Sequence, residues 1–230
     1  MTKWDLMINE TKPSHQMWGF LFNNLFIIMS IQHIIRRVLM EETQEQKVLY
    51  IPSLQIFGLD RLEAWNNLQK FLEKKGNPPY SIGGDLDLSE LPIESLGNLQ
   101  SVGGNLDLEE TPIESLGNLQ SVGGYLNLID TPIESLGNLQ SVGGNLDLVG
   151  TPIESLGNLQ SVGGNLDLYN TQIKSLGNLQ SVGGDLILEG TPIESLGNLL
   201  SVGEYLYVIG TPISQSPITG VKIGKKIIRE

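Results

Sequence analysis

The chain has 230 residues, 40 % of them hydrophobic and 27 of them glycine, with no cysteine and a formal net charge of −12. Such a length accommodates one or two domains with a real core, and the missing cysteine excludes disulfides, thiolate metal sites and cysteine nucleophiles. The charge argues against nucleic acid as a partner: residues 81–220 carry seventeen Asp and Glu against the single base Lys174, whereas phosphate needs a positive track.

Residues 1–13 are polar, and residues 14–40 are largely apolar, with Ser14 to Ile35 free of any charge. That run matches a bilayer span in length, and Arg36 and Arg37 come after it as they would at a cytoplasmic interface. Asn23, Asn24, Gln32 and His33 within it oppose insertion in hydrocarbon. Three readings stand side by side: a helix packed on the repeats that begin at Ser81, a membrane-associated helix, or an upstream extension with the true start at Met29 or Met40. The preferred compartment is the cytoplasm or the cytoplasmic face of a membrane.

Residues 41–80 read as a cap. VLYIPSLQIF is a short apolar run suited to a strand on the edge of the repeat array. Asp60 with Glu63 three residues on, the spacing of Leu62, Trp65, Leu68 and Leu72, and the stop at Gly76, Pro78 and Pro79 predict a helix over 61–75.

From 81 to 215 one unit recurs every twenty residues, as in GNLDLEETPIESLGNLQSVG. A period of this size predicts a solenoid, because one unit cannot bury its own apolar side. Leu106-Asp107-Leu108 and its counterparts predict a strand of about three residues, stacked into one parallel sheet at about 4.8 Å per coil. The Ile113, Leu116, Leu119 and Val122 columns, at spacings of three, predict an irregular or short helical far wall. Gly103 and Gly104 mark a corner needing positive φ or close approach, and the Thr111 and Asn98 columns are expected to bond to turns of adjacent coils. Residues 216–230 close the chain as a basic cap or tail, with Lys222, Lys225, Lys226 and Arg229.

The motif L-x-L-x-x-T-x-I-x-x-L-x-x-L resembles a leucine-rich repeat of the shortest class. Leu106 and Leu108 match the strand leucines, Thr111 stands where that family carries Asn, and Ile113 and Leu116 match the next core positions. GNLQSVGGNLDL also resembles the coils of receptor L domains. The resemblance covers residues 82–213, and it departs where the family's first strand leucine falls on Gly103. The expected fold class is therefore a parallel β solenoid, leucine-rich-repeat-like or right-handed β-helix-like, with a helical amino-terminal region. It implies protein or peptide binding on the sheet face, and that enzymes are rare among such arrays.

Variation among the near-identical repeats concentrates on the outward strand positions, which makes Asp87, Asp107, Tyr125, Asn127, Asp147, Asp167, Tyr169, Ile187, Tyr205, Tyr207 and Ile209 the candidate partner-binding residues. The alternative is drift on a solvated surface. Stacked carboxylates are a conceivable calcium site, but Asn127 interrupts them and no GGxGxD nonapeptide is present, so no metal is expected. Nor is any cofactor or catalytic residue expected. His15 and His33 sit in no motif, the SVGG segments lack a following GKS or GKT, and the acids are interchangeable copies rather than an unlike pair. The sequence thus predicts a non-enzymatic module binding a protein or peptide, or alternatively a scaffold without a dedicated ligand. Tyr169, Ile187, Tyr205, Tyr207 and Ile209 are expected to form one apolar patch, unless the tail covers it with Ile223, Ile227 and Ile228.

Overall fold

A computed structural model of the chain describes residues 47–230. The expected apolar helix at 14–35 lies outside the described residues. Among those described, no helix is long and apolar enough to cross a membrane.

Each repeat forms one coil of a solenoid, and the coil has two strands rather than one. Ser-Val pairs such as Ser121–Val122 stack into a nine-stranded parallel sheet, sheet A. Leu-x pairs such as Leu126–Asn127 stack into an eight-stranded parallel sheet, sheet B. The expected single sheet and turn-like far wall are thus corrected: Val102 and its counterparts are strand residues. Gly97 at φ 58° and Asn98 turn the chain between the inward Leu96 and Leu99, and in the first coil Leu99 already opens the strand that ends at Val102. A third wall shows isolated parallel bridges at Ser135–Ser155 and Ser175–Ser195.

The register is strict. Leu106 pairs with Leu126 and Leu126 with Leu146, one repeat apart at every step. Inward columns of Val102, Leu106, Leu108, Ile113, Leu116 and Leu119 are almost fully buried and form one continuous core. Each coil buries little alone, so burial comes from its neighbours.

The glycine pair works by close approach. A Cβ on Gly103 would overlap the carbonyl of Gly83, and one on Gly104 would overlap the carboxylate of Asp85. Positive φ is used elsewhere, at the residue before threonine: Glu110 (55°), Asp130 (55°), Gly150 (76°), Asn170 (57°) and Gly190 (72°). Thr111 also departs from expectation, since its buried hydroxyl donates within its own coil to the Leu108 carbonyl at 2.7 Å. The asparagine column does reach between coils, as Asn138 Nδ2 donates to the Gly117 carbonyl at 3.2 Å.

At the amino end Leu49–Ile51 adds a strand to sheet A, paired with Tyr80–Ile82. Residues Leu54–Phe57 then turn as a 3-10 helix, and helix α1 spans Arg61–Lys74. The Asp60 carboxylate caps α1 by accepting the Glu63 N–H at 2.9 Å, and Ala64, Trp65, Leu68 and Leu72 join the core of the first coils. Tyr80 is buried beneath, its hydroxyl donating to the Leu96 carbonyl at 2.8 Å.

At the carboxy end the repeat resumes after one extra residue. Ser201 pairs with Lys222 and Leu206 with Ile227, an offset of 21 instead of 20, so the basic segment is a last coil contributing a strand to each sheet. Ile223 and Ile227 therefore continue the inward Val202 and Leu206 columns. Only Ile228 falls beside a tyrosine, Tyr207.

Candidate functional site: the outward face of sheet B

The predicted site residues lie on one face in three columns. Asp87, Asp107, Asn127, Asp147, Asp167, Ile187 and Tyr207 are successive register partners, ending at Ile228. Tyr125 and Tyr205 belong to the column two residues earlier, and Tyr169 and Ile209 to the column two residues later.

Most polar members already have structural work. Oδ1 of Asp107 accepts the Glu109 N–H at 3.2 Å, Asn127 accepts from Ile129 at 3.1 Å, Asp147 from Val149 at 3.1 Å and Asp167 from Tyr169 at 2.9 Å. Each is an Asx turn that leads the chain into the following positive-φ residue. The earlier column works between coils: Asp85 accepts the Asn105 N–H at 2.8 Å, Asn105 that of Tyr125 at 3.0 Å, Asn145 that of Asn165 at 2.9 Å, Asn165 that of Asp185 at 2.8 Å and Asp185 that of Tyr205 at 2.9 Å. This ladder is absent from the sequence-based expectation. Its signal was the restriction of the column to Asp and Asn wherever it is not Tyr before the last coil.

Tyr125, Ile187, Tyr205 and Tyr207 are the positions where an apolar or aromatic side chain replaces such an acceptor. Two of them serve the last coil. Tyr205 and Tyr207 have ring centroids 6.0 Å apart, and Lys225 Nζ lies 4.9 Å from the Tyr205 ring while bridging to Glu204 at 2.8 Å. The Glu204 hydrogen bond and charge raise the Lys225 ammonium above its ordinary range against the effect of burial. Ile187, Tyr205, Tyr207 and Ile209 are half-buried, and Glu189 stands between Tyr169 and Ile209 in their column, so the expected single exposed patch is divided.

Tyr125 and Tyr169 remain exposed, at 39 % and 41 %. Partial burial, and then the Asp107 carboxylate, raise the Tyr125 phenol above its ordinary range; its hydroxyl donates to Asp107 Oδ2 at 3.3 Å. Asn127 Nδ2 donates to Glu109 at 3.0 Å beside it. Asp147 is pushed up by burial and by the Asp167 charge, with the Val149 N–H opposing. Asp87 also feels burial, but the Ser89 hydroxyl and N–H and the Arg61 guanidinium outweigh it and hold its carboxyl low. Among the described residues no group of three or more His, Asp or Glu is placed to hold a metal ion.

Comparison with protein-family models, curated proteins and solved structures returned no match to this chain.

Proposed function

We propose that the protein is an interaction module of the leucine-rich-repeat kind, without catalytic activity, and that a protein or peptide docks on the outward face of sheet B. The observation that supports this is the pair Tyr125 and Tyr169, large aromatic side chains left in water on a face whose other outward residues are largely engaged in turns, the intercoil ladder or the last coil. Tyrosine anchors interfaces because its ring offers area at small entropic cost. A scaffold role is the second reading, favoured by the number of face residues that hold coils together.

A pull-down with the full chain against its Tyr125→Ser/Tyr169→Ser version separates the two. The docking reading expects a specific partner lost from the variant at unchanged thermal stability. The scaffold reading expects the same proteins with both.

A further inference from the structure

We infer that the occupant of this face is an extended, cationic protein segment whose Lys or Arg side chains meet Tyr125, Tyr169 and the free oxygens of the neighbouring carboxylates. This rests on the docking of a partner on sheet B and adds the chemistry of that partner.

Charge complementarity carries the inference. Around the two tyrosines the face presents Asp107, Glu109, Asp147, Asp167, Asp185 and Glu189. Among the described residues, Arg61 pairs with Asp87 in the first coil and Lys225 with Glu204 at the last, and Lys226 follows Tyr205 in its column three coils beyond Tyr169. Lys174, the single base of the repeats, stands on the third wall, where its carbonyl accepts the Glu194 N–H at 2.9 Å. A second copy would bring the same negative face, and nucleic acid the same sign of charge, so both are repelled.

The carboxylates are also held in position. Asp107, Asp147 and Asp167 each use Oδ1 for the turn, which fixes the side chain; Oδ2 of Asp107 accepts the Tyr125 hydroxyl, and Oδ2 of Asp147 and of Asp167 is directed away from the turn bond. An aromatic ring beside a fixed carboxylate suits a guanidinium or ammonium, which the ring face and the carboxylate both attract. Spacing supports an extended ligand. Tyr125 and Tyr169 lie two coils apart along the array, about 10 Å at the strand separation of a sheet, and four positions apart across it, up to about 13 Å, so about 16 Å separates them. A polyproline-type segment advances about 9 Å every third residue. Six residues cover about 19 Å, so every second cation of such a triplet repeat reaches the next tyrosine.

The test is fluorescence anisotropy with the full chain and labelled peptides of repeated Arg-Ala-Pro, Glu-Ala-Pro and Leu-Ala-Pro triplets. The expected result is binding of the arginine peptide alone, weakened by added salt and weakened about tenfold by Tyr125→Ser/Tyr169→Ser. Asp147→Asn/Asp167→Asn keeps every turn acceptor and should weaken it several-fold too, which covers the case in which the tyrosine variant misfolds. Glu114→Gln/Glu134→Gln, on the other side of the coil, should leave binding unchanged. Equal binding by the tyrosine and aspartate variants, or loss on the Glu114/Glu134 change, would show diffuse attraction to an acidic chain and overturn the inference. Binding of the leucine peptide alone, lost in the tyrosine variant, would overturn the cationic chemistry while leaving the docking reading in place. No binding by any of the three peptides overturns the inference as well.

Discussion

The main-chain N–H of Tyr125 donates to Oδ1 of Asn105, one coil back, at 3.0 Å, and Tyr125 returns no such acceptor to Asn145 in the next coil. The ladder of Asp and Asn side chains is broken there by an aromatic that is 39 % exposed. The ladder thus forgoes one hydrogen bond at a position where the side chain reaches solvent, a departure from local stability of the kind functional sites often show.

Tyr125→Asn should therefore restore the ladder. The expected gain is about 1 kcal/mol, the net value of one hydrogen bond, read as a higher midpoint in chemical denaturation with unchanged slope. A loss of stability would mean that Tyr125 contributes more through Asp107 than the ladder does.

Asp147→Asn should also stabilise at neutral pH. Asn keeps the acceptor for Val149, as Asn127 does for Ile129, and removes a like charge directly opposite Asp167. The gain expected is about 0.5 kcal/mol. The folded-state pKa of Asp147 is raised, so its charge is destabilising above that pKa, and the wild type recovers as pH falls through it. Melting temperatures should differ at pH 7 and converge near pH 3; a difference independent of pH would contradict the electrostatic cause.

Thr151→Val should cost about 1–2 kcal/mol, because the isostere leaves the buried Leu148 carbonyl without the hydroxyl that now donates at 2.6 Å. Leu91 holds this position in the first coil, next to the α1 cap, and is only partly buried. A neutral result at Thr151 would show that the column is filled by shape alone.

Much of the fold was legible because the repeat is nearly exact. The inward leucines, the amino-terminal strand and helix α1 emerge from period, capping and pattern. The second sheet was not legible, since Ser-Val between a corner and a glycine pair is too short to show a two-residue alternation. Nor was the last coil, where one inserted residue moves Ile223 and Ile227 into the core columns. Variation between repeats points to the outward strand positions of sheet B, but it does not separate a carboxylate that closes a turn, such as Asp167, from one offered to a partner.

Tyr205→Ser/Tyr207→Ser tests the division of the face. These rings pack with each other, and that of Tyr205 lies beneath Lys225, so the change should destabilise the last coils by about 2 kcal/mol, seen as faster hydrogen exchange at Val208 and Ile227 than at Leu126. Unchanged exchange there would return both tyrosines to the docking surface.

The most direct measurement of the central claim is site-specific photocrosslinking in cells that express the protein. A benzophenone amino acid placed at Tyr125 or Tyr169 on sheet B should each give a discrete adduct with the same partner, and one at the exposed Gln140 beside sheet A should give none. Adducts from Gln140 alone, or no adduct from either tyrosine position, would contradict the docking of a partner on the outward face of sheet B.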